Sequence, residues 1–234
     1  MKVNTFSKQD FEDGKILLFR KEIGWTSFDV VKKVKNLIRQ AYQIKKIKVG
    51  HAGTLDPLAS GLLIICTGKF TKKISDIQGQ RKIYTGQITL GSTTPSYDLE
   101  TSIDKTFDIS NISEKDLLQT ANKFIGIIQQ KPPIYSAIKV KGERLYEKAR
   151  RGESVDIKSR ETTIFSFEIK NIAFPHFQFK IECSKGTYIR SIADDFGKHL
   201  KNGAHLSQLT RTHIGEYNLN RALSVNEFKN KLNL

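Results

Sequence analysis

Between Val49 and Leu63 the chain reads Val-Gly-His-Ala-Gly-Thr-Leu-Asp-Pro-Leu-Ala-Ser-Gly-Leu-Leu, so three glycines and one proline frame a single imidazole, His51, and a single carboxylate, Asp56. Glycines let a backbone turn tightly and approach a ligand closely. Pro57 keeps Asp56 out of the helical region. An aspartate of ordinary pKa, ~3.9, is ionised by roughly a thousand to one at pH 7, so it can act as a nucleophile with no second group to deprotonate it. An aspartate before proline is also a common turn former or helix cap, and the local pattern taken alone favours that plainer role. A phosphate-cradling P-loop is excluded by the lysine position and the spacing. A metal centre is not expected. The five histidines are scattered, and Cys66 and Cys183 sit in apolar patterns with no ligand spacing.

The charge around this stretch points to a polyanion. The 234 residues hold 39 Lys+Arg and 24 Asp+Glu, a formal charge of +15, which favours nucleic acid over a surface that is merely lysine-rich. Arg20–Lys48 holds nine Lys/Arg against the two acids Glu22 and Asp29, and Lys131–Arg160 holds nine against four. Tyr97–Leu118 reverses the sign, with six acids against two lysines. A helix with one solvated face accounts for Lys32, Lys33, Lys35 and Arg39. It accounts less well for 131–160, where Pro132, Pro133, Tyr135, Gly142 and Tyr146 are interleaved. An apolar share of 38% excludes a disordered chain, and no apolar run nears the ~18 residues of a membrane span. The first ten residues have no apolar signal core. Both cysteines read as buried thiols of a reducing compartment, so a cytoplasmic protein is expected.

These residues need a scaffold, and the periodicities describe one. Thr26 and Asp29 form a capping box that opens a helix carrying Val31, Val34, Ile38 and Ala41 inward. Gly61–Cys66 is a buried strand or a short helix. Ile83–Leu90 reads as a strand with Tyr84, Gly86, Ile88 and Leu90 on one face. Ser113 caps a helix through Phe124, with Gly126 as its stop. Phe165, Phe167 and Ile169 alternate with polar residues, as do Phe177, Phe179, Ile181 and Cys183, giving two half-buried strands. Ile189, Ile192, Ala193, Phe196 and Leu200 mark an amphipathic helix, and Ser224 with Glu227 caps a last one. Strands and helices without steady alternation predict an α+β fold, with a mixed, mostly antiparallel sheet and helices on one side. With no linker rich in Gly, Pro or Ser, residues 1–234 read as one domain with a basic inserted lobe at 131–160.

The stretch Gly50–Gly61 resembles the catalytic motif of the TruB family of tRNA pseudouridine synthases. Further blocks resemble the family in the same order: Arg20–Val34, Lys82–Gly91, Lys131–Arg151, Cys183–Gly197 and Gly203–Tyr217. Together they span about residues 17–217. The resemblance implies the pseudouridine synthase fold and isomerisation of uridine 55 in the T-loop of tRNA. Uracil leaves C1′, turns, and is rejoined through C5, with no cofactor and no metal. The implied partner is the tRNA T-stem-loop, bound by a monomer away from any membrane.

Carried over residue by residue, the resemblance makes Asp56 the catalytic aspartate and Arg190 the arginine that pairs with it. Tyr84 stacks on the target base, and Tyr188 is a second active-site tyrosine. His51 fills the space that flipped bases leave, Lys21 lies near the active site, and Leu209 packs near the uracil. Without the resemblance, Arg190 is a helix-surface arginine, Tyr84 and Leu209 are core, and His51 is a loop residue. Glu22 stands where many members have proline after the lysine. Residues 131–160 correspond to the family's thumb-like insertion, where Arg150 and Arg151 would contact RNA. Many members carry a further PUA domain, for which no segment is expected here. Two other functions are compatible with these residues: a non-catalytic tRNA-binding or folding chaperone, and an enzyme of this fold acting on another RNA.

Overall fold

In the computed structural model, residues 6–140 and 142–234 are described. The start of the amino-terminal stretch read above (Met1–Thr5) and Lys141 of the basic segment lie outside the described residues. The elements run α1 (Lys8–Asp13), β1 (Ile16–Lys21), α2 (Ser27–Tyr42), β2 (Val49–His51), β3 (Ser60–Thr67), a 3-10 turn (Gly68–Lys73) and α3 (Ile74–Gly79). There follow β4 (Lys82–Leu90), β5 (Ser92–Thr93), β6 (Lys105–Thr106), α4 (Glu114–Lys123), β7 (Gly126–Gln130), β8 (Lys139–Val140), β9 (Glu143–Arg144) and α5 (Leu145–Arg150). Then come β10 (Arg160–Ala173), β11 (His176–Cys183), α6 (Ile189–His199), β12 (Ala204–Ile214), β13 (Tyr217–Asn218) and α7 (Val225–Lys231). They form two compact units, residues 1–84 with 210–234, and residues 85–209.

In the first unit β1 pairs antiparallel with β3, from Ile16↔Cys66 to Lys21↔Gly61. β2 lies antiparallel along the other edge of the β3 carboxyl half, and the end of β12 joins β3 in parallel at Thr210↔Ser60. Because side chains alternate across a strand, β3 sends Leu63 and Ile65 into one cluster and Leu62, Ile64 and Cys66 into another. The first cluster is roofed by Val30, Val34 and Ile38 of α2 and by Phe228 of α7. The second contains Ile77 of α3 and Ile214. The expectation of helices on one side is therefore corrected here: β3 is covered on both faces. Covering both faces buries the whole run Gly61–Thr67 and removes the alternation that would have marked it as a strand.

In the second unit β10 is flanked antiparallel by β7 and β11, and β5–β6 and β8–β9 are antiparallel pairs. Its core is aromatic: Phe196 of α6 lies 5.7 Å from Phe167, 5.1 Å from Phe177 and 6.0 Å from Phe124, centroid to centroid. A bulge between Ile164 and Ser166 changes the phase of β10. Thr162 and Ile164 face inward before it and Phe167 after it, so Phe165 is only half-buried, unlike the simple alternation predicted. The Phe177–Cys183 alternation is buried as read, and both cysteines are free and buried. No helix among the described residues is long and apolar enough to cross a membrane.

Candidate active site

Asp56 sits in the loop between β2 and β3, half-buried. Its carbonyl accepts from Ala59 N–H at 3.1 Å, closing a turn with Pro57 at the second position, where the fixed φ of proline suits it. Three sets of bonds hold this loop. Ser27, the first residue of α2, accepts from Leu55 N–H at 2.8 Å and lies 3.2 Å from the Leu55 carbonyl. Gly24 N–H donates to the Pro57 carbonyl at 2.9 Å. The third set comes from two buried cations.

Lys21, at the end of β1, is fully buried. Its ammonium donates to the carbonyls of Trp25 (2.6 Å), Glu22 (3.0 Å) and Pro57 (3.3 Å), which matches its three protons to three acceptors. Burial pushes its pKa down to about 8, against the opposing charge of Asp56, which favours the protonated form. Arg211, on β12, is the largest fully buried side chain among the described residues. Its guanidinium donates to Leu62 O (2.9 Å), Gly53 O (3.0 Å) and Thr54 O (3.3 Å), spanning the Asp56 loop and β3 with one planar fork. Gly61 is required for this approach. Its φ is +114°, and a Cβ there would lie 2.3 Å from the Arg211 carbonyl oxygen.

His51 closes β2 opposite Ile65 and is half-buried. Burial lowers its pKa, the Gly53 backbone opposes this, and the Arg211 charge lowers it further, which favours the neutral ring. Tyr84, third residue of β4, is nearly buried. The first unit thus places Lys21, His51 and Asp56 around one loop, with Arg211 as the common brace.

The second unit positions the remaining residues. Tyr188 immediately precedes α6, and its backbone is clamped by Gln130: Tyr188 N–H donates to Oε1 at 2.7 Å and Gln130 Nε2 donates to the Tyr188 carbonyl at 3.0 Å. The Arg160 guanidinium lies over the Tyr188 ring at 4.7 Å. Arg190, the second residue of α6, is buried rather than on the helix surface. It donates to Ser96 O at 3.3 Å, and its Nε lies 3.6 Å from the carboxylate of buried Asp98. Leu209 is half-buried on β12.

Arg150 and Arg151 are exposed at the end of α5. Arg150 pairs with Glu100 at 3.1 Å, and Arg151 pairs with Glu143 and Glu153. Exposed pairs of this kind are worth about 0–1 kcal/mol and are screened by salt, so they leave both arginines exchangeable. Among the described residues no group of three or more His, Cys, Asp or Glu side chains is placed to hold a metal ion.

Sequence reasoning missed Arg211 and Asp98. Arg211 lay inside a matched block without a role of its own. Asp98 was counted only as one charge of the acidic segment.

The family described as TruB family pseudouridylate synthase (N terminal domain) matches residues 39–189. The chain is 55% identical over 225 residues to tRNA pseudouridine synthase B of Flavobacterium johnsoniae, covering 96% of this chain and 98% of that protein. It is 48% identical over 218 residues to tRNA pseudouridine synthase B of Parabacteroides distasonis, covering 93% of each. A chain of the solved Cbf5-Nop10-Gar1 complex superimposes with a TM-score of 0.69 at 25% identity, over 95% of this chain. This chain spans 55% of that solved one. The mixed α+β architecture predicted from the order of elements is shared with it.

Proposed function

The chain belongs to the TruB family of pseudouridylate synthases, and from that premise we propose that it isomerises uridine to pseudouridine at position 55 in the T-loop of tRNA, with Asp56 as the catalytic carboxylate. The observation that carries this reading is the Asp56 loop itself, a half-buried carboxylate on a turn braced by Lys21, Ser27 and Arg211. A braced turn spends little free energy on reorganisation when substrate arrives, which is what preorganised catalysis requires. The names of the relatives, 55% and 48% identical along almost their whole length, support tRNA as substrate and pseudouridine as product.

The chemistry follows from the carboxylate. The C1′–N1 bond breaks, the uracil turns, a C1′–C5 bond forms, and the C5 proton is lost to solvent while N1 gains one. Ionised Asp56 serves either as nucleophile at C1′ or as the base on a glycal route. Reaching the uridine requires flipping it from its stack, at a few kcal/mol. Stacking on Tyr84 returns ~1–3 kcal/mol. His51 occupies the space vacated by flipped bases, and Leu209 packs near the uracil. Tyr188 and Arg190 take the roles the family resemblance gives them. We read the whole chain as one catalytic domain acting as a cytoplasmic monomer on the T-stem-loop. In this reading residues 131–160, with Arg150 and Arg151, close on the RNA.

The test is tritium release from 5-tritiated uridine in a T-stem-loop. Wild type releases tritium, and Asp56→Asn does not. Equal release by both would reject Asp56, and no release by wild type would favour a non-catalytic tRNA-binding role. Mapping pseudouridine in tRNA from cells lacking the protein checks position 55.

A further inference from the structure

Around the Asp56 loop, four large apolar side chains stand in solvent: Ile23 (64% exposed), Phe28 (68%), Leu58 (38%) and Trp25 (36%). They come from two segments joined at backbone level. Gly24 N–H bonds the Pro57 carbonyl, the Lys21 ammonium gathers the carbonyls of Trp25 and Pro57, and Ser27 holds Leu55. Ile23–Phe28 therefore flanks Leu55–Leu58, with Asp56 within the clamped turn.

Part of this has a folding reason. Trp25 and Val30 occupy the positions of a hydrophobic staple at the start of α2. Phe28, on the outward side of the first helical turn, has none, and neither does Ile23. Exposed apolar clusters of this kind mark binding surfaces. The charges nearby select the partner. Arg20 and Lys33 line the same groove as Trp25, and Lys32 lies one turn beyond Phe28. Of the acids nearby, Glu22 lines the groove, Asp29 is engaged by the Thr26 cap, and Glu227, which feels the Arg20 charge, is engaged by the Ser224 N–H. Rings interleaved with cations match single-stranded nucleic acid, whose bases stack on aromatic faces while phosphates meet Lys and Arg.

We propose that Trp25 and Phe28, with Ile23 and Leu58, form a stacking ledge for the unpaired nucleotides flanking the target uridine, and that Arg20 and Lys33 receive the phosphates between them. The inference rests on the RNA-isomerase reading for its ligand. Its geometric basis is that a nucleotide delivered to Asp56 brings its neighbours over the residues that clamp the Asp56 turn.

Trp25 is the sole tryptophan of the chain, so its fluorescence reports this ledge without labelling. Titrating the full-length protein with a T-arm RNA hairpin should quench that emission saturably. Phe28→Ser should weaken hairpin affinity roughly tenfold, the loss of one base–aromatic stack, with an unchanged melting temperature because the ring is exposed. Trp25→Phe should bind close to wild type in filter retention while losing the signal. Filter-detected binding with unaltered emission, together with wild-type affinity of Phe28→Ser, would overturn the ledge. So would an emission change that tracks protein concentration without RNA, which would assign the surface to a second copy. Tritium release separates the two ideas. Release without quenching or a Phe28 effect sinks the ledge alone, quenching without release sinks the isomerase reading alone, and no hairpin binding sinks both.

Discussion

The Asp56 loop and the basic segment 131–160 both use cations, in opposite ways. At the loop, Lys21 and Arg211 are buried and donate to backbone carbonyls, three apiece. In the segment, Arg150 and Arg151 are exposed and pair with the carboxylates of Glu100, Glu143 and Glu153. A buried cation that satisfies fixed backbone acceptors sets geometry, because no water can replace it and each acceptor left bare costs ~1–3 kcal/mol. An exposed cation in a carboxylate pair is held by about 1 kcal/mol or less and can trade its partner for a phosphate. The loop is built to position one carboxylate, and the segment is built to bind reversibly.

Four measurements sharpen or break that contrast. The largest effect is expected for Asp56→Asn, with single-turnover tritium release falling on the order of 10⁴-fold or more, the scale for loss of a nucleophile, while RNA affinity stays within a few-fold. A large affinity loss instead would make Asp56 a binding residue. Next is Arg211→Met, which strips three carbonyls of their donor. Urea denaturation should show a loss of about 3 kcal/mol, and kcat should fall more than KM rises. Arg211→Lys should recover only part, since an ammonium cannot reproduce the planar fork. An effect on binding alone would overturn the positioning role.

The pH profile comes third. Lys21 titrates near 8 in the folded chain instead of its ordinary 10.5. Its positive charge beside Asp56 is present below that value and lost above it, so kcat should decline as pH rises through about 8. The sign for stability is the reverse. Between about 8 and 10.5 the unfolded chain holds the proton and the folded one does not, so this group makes unfolding free energy rise with pH. Lys21→Met should lack both trends, and an unchanged alkaline limb would assign it elsewhere. The smallest stability effect belongs to Arg150→Glu with Arg151→Glu, under about 1 kcal/mol per pair. That double variant should still weaken tRNA binding and shallow the slope of log affinity on log salt by about two. An unchanged slope would remove the segment from the RNA contact.

Much of the scaffold was legible because its signals are local. The capping boxes at Thr26/Asp29 and Ser224/Glu227 form as their spacing predicts, and Ser113 caps its helix as read, with Asp116 completing a box that the reading did not name. A fourth box, Ser7/Asp10, starts α1 and carried the same signal unread. The Gly61–Cys66 run stayed ambiguous between strand and helix because burial on both faces erases periodicity. The β10 bulge was invisible because alternation in sequence does not record an extra residue in the pairing.

The sequence alone determined the caps, the strand and helix periods, the turn at Asp56-Pro57 and the excess of positive charge. Each depends on residues within one or two turns of each other, where covalent geometry and side-chain type leave few choices. Only the tertiary structure decided that Arg211 braces Gly53 and Leu62, 158 and 149 residues away in the chain. It alone turned Asp98 from one acid of a charged run into the buried partner of Arg190. The physical reason is the chemistry of the acceptors. Most of the braces end on backbone carbonyls, which every residue carries, so no residue type at the far end announces the contact until folding brings it within reach.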